Sequence, residues 1–189
     1  FNFKSMDKIA VFTATRAEYG LMRKLIRNFD KNKNFKLFLL ISSTHLDQKY
    51  GMTVEEIKND GISSNYLLPI SIYTNQKKDM ANQTAETIKN LSEILEKINP
   101  DYFMILGDRY ETFGAAVAAH ILGIKIVHLH GGETTLGALD DKLRNAISQL
   151  STFHFTSAEI HKKKVVDIIG SPHNIYNVGP LVIDGILNL

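Results

Sequence analysis

Cysteine is missing from all 189 residues, which excludes disulfides and thiolate metal sites and fits a reducing compartment. No apolar run approaches the ~20 residues that a membrane-spanning helix needs, and the N-terminus lacks the basic-then-apolar order of a signal peptide. A soluble, cytoplasmic protein is therefore expected. A dominant charge is missing too: 22 basic residues face 20 acidic ones, for a formal net charge of +2, so no basic stripe is available for nucleic acid. Internal repeats and low-complexity tracts are also absent.

What is present is a chain with 44% hydrophobic and 22% charged side chains, enough to bury one sizeable core and too little for two. Apolar runs at Lys8–Thr13, Phe35–Ser42, Tyr66–Ile70, Tyr102–Leu106, Ile124–Leu129 and Phe153–Thr156 read as strands of a parallel sheet buried on both faces. Helical spacing fills the intervals at Glu18–Asp30, Thr53–Asn59, Asn82–Ile98, Glu111–Leu122 and Asp140–Leu150. Asn99-Pro100 and Gly123 punctuate the helix ends. This alternation predicts a Rossmann-like, doubly wound α/β domain with its ligand at the carboxyl ends of the strands. The domain is expected over residues 6–178, with 1–5 set apart as a leader. The terminal "NIYNVGPLVIDGILNL" reads as one more strand, a Gly179-Pro180 turn and, within 179–189, the start of a linker and helix toward a second domain.

The strand ends carry the candidate chemistry. After the first strand, "TATRAEYG" lacks the glycines of a dinucleotide fingerprint, and no cofactor is expected. Arg16 at that junction can grip a phosphate or carboxylate, or simply cover the helix start. After the second strand, Ser42, Ser43, Thr44 and His45 either bond a sugar or cap the next helix. Asp108 and Arg109 follow the fourth strand, where an aspartate caps a helix or serves a site. His128 and His130 alternate along the fifth strand and are expected on one face, as a buried pair or, less favourably, as metal ligands. Gly131-Gly132 permits close backbone approach to a ligand, and Glu133 then faces a sugar ring or closes an exposed turn. Asp140 and Asp141 open a helix containing Arg144, an arrangement that also suits ordinary helix-dipole chemistry. Several acids at one sheet edge would push their pKa values apart and leave an acid and a base for proton transfer at carbon.

Taken together, "TATRAEYG", "STHLDQKYG", "GDRYE", "HLHGGETTLGALDDKLRNAI" and "VGPLVID" resemble the hydrolysing UDP-N-acetylglucosamine 2-epimerases, most closely the sialic- and legionaminic-acid branch. The likeness runs from Met6 to the end. It implies the first of two facing domains of a B-type glycosyltransferase-like architecture, with UDP held largely by the other. It also implies a homo-oligomer, for which Asn82–Ile98 could supply the interface. The implied reaction removes the C2 proton with anti loss of UDP, then hydrates the 2-acetamidoglucal to the manno-configured sugar. Position by position, the resemblance makes Asp108 catalytic and gives the second acidic role to Asp140 or Asp141. Arg16, His45, Arg109 and Arg144 become substrate-side groups. Several relatives have a catalytic glutamate where this chain has His130, so either Glu133 or His130 fills that role. A B-type glycosyltransferase and a non-catalytic sugar-nucleotide-binding module are the alternative readings.

Overall fold

The strands at Asp7–Thr13, Phe35–Ser42, Tyr102–Leu106 and Lys125–Leu129 send alternate apolar side chains to opposite sides of one sheet. The computed structural model describes residues 6–62, 65–70, 76–134 and 139–183, without the side chains of Ser43 and Tyr50. The expected leader and residues 184–189 of the expected terminal helix fall outside that set. In chain order the elements are β1 (Asp7–Thr13), α1 (Arg16–Lys31), β2 (Phe35–Ser42), α2 (Val54–Asn59), β3 (Asn65–Leu68), α3 (Lys77–Ile98), β4 (Tyr102–Leu106), α4 (Tyr110–Ile121), β5 (Lys125–Leu129), α5 (Leu139–Leu150), β6 (Phe153–Thr156), α6 (Glu159–Ile169) and β7 (Ile175–Asn177). Two 3-10 turns, Ser43–Leu46 and Gln48–Tyr50, lie between β2 and α2.

The strands pair in parallel in the order β3-β2-β1-β4-β5-β6-β7. The order reverses between β1 and β4, which opens a crevice at their carboxyl ends. One face packs Ala10, Phe12, Leu40, Phe103, Ile105 and Ile126 against α3, α4 and α5. The other packs Ile9, Val11, Leu39, Ile41, Met104 and Val127, with Met22 and Ile26 of α1 and Ile57 of α2 above them. Toward β7 the cover on that second face is aromatic. Tyr102 meets Phe153 edge-on at 6.0 Å and Phe155 stacks on Tyr176 at 5.4 Å, beside a cavity of about 300 Å³ that Phe29 and Phe35 also line. Among the described residues, no helix is long and apolar enough to cross a membrane.

The expected strands and helices match these elements to within a residue or two at most ends, and the terminal strand is β7. Two differences stand out. α3 begins at Lys77, five residues before its expected start. α6 was not expected at all, because it buries only Val165 and so shows little apolar stripe.

Candidate active site

The carboxyl ends of β4 and β5 place most of the acidic candidates. After Leu106 the chain turns at Gly107, whose φ of 82° favours glycine, and Asp108 follows immediately before the N-cap of α4. Asp108 does not cap that helix; its carboxylate accepts a hydrogen bond from the Arg144 guanidinium of α5, and both side chains are largely buried. Burial lifts the Asp108 pKa above the ordinary carboxylate value. Arg144 opposes that rise, Asp140 reinforces it, Arg109 opposes it and Glu133 reinforces it. Asp140 and Glu133 therefore lie near enough to act on the charge of Asp108, and Arg144 acts on both Asp108 and Glu133. The neighbouring aspartates of α5 are not equivalent, because Asp141 lies 3.3 Å from Lys164 Nζ. Asp140 bears on the charge of Asp108, whereas Asp141 turns toward α6.

Glu133 is embedded in a hydrogen-bonded chain. Ser157 Oγ donates to its Oε1 at 2.5 Å and lies 2.9 Å from His161 Nδ1, while His130 Nδ1 stands 3.1 Å from the same carboxylate oxygen. His130 Nε2 accepts from the Leu181 backbone N–H at 3.3 Å, so Nδ1 carries the proton and donates it to Glu133. The hydrogen bond from His130 is the largest influence on Glu133 and outweighs burial, drawing its pKa down to about 2. Glu133 is thus a fixed anion at neutral pH that orients His130.

His128 of β5 and His130 just beyond it do not share the expected common setting. His130 takes a left-handed φ of 61°, which breaks the strand alternation, while His128 is fully buried between Ser148 Oγ at 3.1 Å and the Gly107 carbonyl at 2.8 Å. Burial pushes the His128 pKa down to about 3. Among the described residues, no group of three or more His, Asp and Glu is placed to hold a metal ion.

The glycine pair also departs from expectation, because it serves protein packing. A Cβ on Gly131 would lie 3.1 Å from both His128 Nδ1 and Ser148 Oγ, and one on Gly132 would lie 2.2 Å from the His161 carbonyl oxygen. Both faces of this turn meet the protein itself, and close backbone approach is made to α5 and α6.

The β1 side differs from expectation as well. His45 is completely buried, with Nε2 3.0 Å from Thr13 Oγ1 and Nδ1 2.6 Å from Thr53 Oγ1, and burial lowers its pKa to about 4. It has no surface for a substrate; it joins β1 to the start of α2. Ser42 is buried too, and Thr44 Oγ1 donates to the Ala14 carbonyl at 2.9 Å. Arg16 is the accessible group here, 72% exposed and paired at 2.8 Å with Glu56.

Arg109 is held by Glu111, at 2.9 Å from Nη2 and 3.2 Å from Nε, and lies 3.9 Å from Glu18. Burial raises the Glu18 pKa to about 7 although its carboxylate accepts from the Ala14 N–H at 2.7 Å and the Thr15 N–H at 3.2 Å. Sequence reasoning missed Glu18, Glu111, Ser148, Ser157, His161 and Lys164. For Glu18 a signal existed: Thr15-x-x-Glu18 is a capping box.

Carboxylates and arginines along the carboxyl edge of a doubly wound sheet, next to its reversal point, define a Rossmann-like ligand-binding half. The UDP-N-acetylglucosamine 2-epimerase family matches residues 27–189, and the chain belongs to that family. It is 37% identical over 95% of its length to the hydrolysing UDP-N,N'-diacetylbacillosamine 2-epimerase of Legionella pneumophila. It is 34% identical over 98% of its length to the hydrolysing GDP/UDP-N,N'-diacetylbacillosamine 2-epimerase of Campylobacter jejuni. Each alignment covers 48% of the relative, so the chain spans about half the length of the curated relatives it matches. The solved UDP-GlcNAc 2-epimerase of Neisseria meningitidis, bound to UDP-GlcNAc, superposes with a TM-score of 0.83 at 26% identity, over 96% of this chain and 48% of that one.

Proposed function

We propose that this domain is the sugar-facing half of a hydrolysing 2-epimerase that converts a UDP-2-acetamido sugar, UDP-GlcNAc or UDP-N,N'-diacetylbacillosamine, into the free manno-configured amino sugar and UDP. The observation that carries the reading is that Asp108, paired with Arg144 at the sheet edge, is also acted on by the charges of Asp140 and Glu133. In the first step the Asp108 carboxylate takes the proton from C2 while the C1–O bond breaks on the opposite face and UDP departs. In the second, Asp140 as the acid gives C2 a proton on the other face while water adds to C1 of the 2-acetamidoglucal, and the proton that the water sheds restores that of Asp140. Arg144, paired with Asp108, opposes the rise that burial imposes on its carboxyl. Glu133 holds His130 in one orientation beside the carboxyls.

Arg16, exposed at the N-terminus of α1, is the cation of this half best placed for the substrate phosphates. Its surface pair with Glu56 is worth little and can be exchanged for a better partner. Neutralising a departing pyrophosphate needs more positive charge than that. A second domain, equal in size to this one and absent from these residues, supplies the rest; this domain alone has negligible turnover, and the whole enzyme is a homo-oligomer. The test is turnover of each nucleotide sugar by the whole enzyme in heavy water. Epimerisation places deuterium at C2 of the released sugar; UDP release with C2 unlabelled, as in glycosyl transfer, refutes the reading.

A further inference from the structure

His128 is completely buried beside the candidate site, and the reaction steps leave it without a task. Its two nitrogens bind two different elements. Nε2 lies 2.8 Å from the Gly107 carbonyl, on the residue immediately before Asp108, and Nδ1 lies 3.1 Å from Ser148 Oγ, one turn beyond Arg144 on α5. A carbonyl only accepts, so Nε2 carries the proton and Nδ1 accepts from the Ser148 hydroxyl. One tautomer therefore satisfies both bonds, and the imidazole stays neutral. Gly131 leaves room for this arrangement, since a Cβ there would stand 3.1 Å from both Nδ1 and Ser148 Oγ.

We infer that His128 is a positioning residue that locks the Gly107-Asp108 turn to α5 and so fixes the Asp108–Arg144 pair on which proton abstraction depends. This rests on the epimerase reading. The carboxylate and its guanidinium come from separate segments, the turn after β4 and α5, and beyond the ion pair the His128 side chain bridges those segments through Gly107 and Ser148. It touches no reacting atom. Its effect is on placement, where an error of about 1 Å can cost on the order of 100-fold in rate.

The two bonds can be separated. In His128→Gln the amide nitrogen reaches the Nε2 position and retains the bond to Gly107; in His128→Asn the shorter amide reaches only toward Ser148. In the whole enzyme, His128→Asn is expected to lower kcat about 30-fold with KM little changed, and His128→Gln to restore most of that loss. Ser148→Ala removes the tie to α5 through a smaller change, and should lower kcat several-fold. In the Asn and Ala variants Arg144 is held less firmly against Asp108, whose carboxyl also faces Asp140, Glu133 and Arg109, so the acid limb of the kcat–pH profile should move up.

The inference is overturned if folded His128→Asn and Ser148→Ala both keep the parent kcat and acid limb, or if His128→Gln is as slow as His128→Asn. If His128→Asn does not fold, Ser148→Ala decides alone by the same two readouts. Absence of C2 deuterium with the parent enzyme overturns the epimerase reading instead, so the two failures are distinguishable.

Discussion

The Gly131-Gly132 turn offers a quantitative check on how the candidate site is held, through three alanine substitutions that separate backbone strain from crowding. Gly107→Ala isolates strain: φ is 82° and a new Cβ would meet nothing within 4 Å, so the cost is that of a left-handed alanine, about 1–2 kcal/mol. Gly131→Ala isolates crowding: φ is not positive, and the methyl meets His128 Nδ1 and Ser148 Oγ at 3.1 Å, so the neighbours must yield by a few tenths of an ångström, at about 1 kcal/mol. Gly132→Ala combines both. Its φ is 80° and the methyl would sit 2.2 Å from the His161 carbonyl oxygen and 3.0 Å from Val165 Cγ2, so α6 must shift bodily. Adding an overpacking cost of about 1–3 kcal/mol to the strain gives roughly 2–5 kcal/mol. Urea unfolding of the three variants measures these differences directly. If Gly132→Ala costs no more than Gly107→Ala, the contact between this turn and α6 does not constrain the protein and the argument fails. A shift of α6 would also carry Ser157 and His161 away from Glu133, so the same variant should lose turnover in the whole enzyme.

Asp108→Asn should lower kcat by about 10²–10⁴ while UDP-sugar affinity changes far less, measured by steady-state kinetics and calorimetry; equal losses in both would place Asp108 in binding. Ser157→Ala removes a donor to Glu133, so its carboxyl pKa should rise from about 2 toward the ordinary value, as followed by carbon-13 NMR titration. His45, His128 and His154 are buried neutral, with pKa values lowered to about 4, 3 and 4. Below the ordinary histidine value of about 6.5 the unfolded chain gains protons that the folded one refuses. Stability is then fully present above that pH and falls as pH drops toward 4, by about 1.4 kcal/mol per histidine for each pH unit; unfolding free energies that stay flat between pH 7 and 5 would contradict it. His45→Ala should destabilise the fold by leaving the Thr13 and Thr53 hydroxyls without their partner, yet leave UDP-sugar affinity at the parent value.

The α/β alternation was readable because buried parallel strands are short continuous apolar runs and the helices between them carry a stripe, and both signals are local. α6 escaped because its exposed face carries Lys162 and Lys163 and its apolar side contributes only Val165 to the interior. The acidic edge was readable because Asp108 and Glu133 lie in the turns that follow β4 and β5. Partners were harder to read, since they depend on contacts between distant positions. His45 looks like a ligand group until Thr13 and Thr53 close over it, and the glycine pair looks like ligand space until α5 and α6 fill it. The sequence left Asp140 and Asp141 equivalent, since three and four residues before Arg144 both fall on its helix face; what distinguishes them is the contact of Asp141 with Lys164 of α6.

The sheet order has a consequence for how the protein assembles itself. Every group converging on Arg144 or Glu133 comes from the stretch Asp108–Leu181, where each strand pairs with its next neighbour along the chain. The pairing that anchors this wing joins Ile9 to Tyr102, across some ninety residues of intervening chain. That long closure is the slow, entropically demanding event, and the wing can zip outward quickly once it is made. Amide protons of β1 and β4 should accordingly be the last to exchange, while those of β6 and β7 open earlier and more often, so the candidate edge lies on the more readily opened side of the molecule.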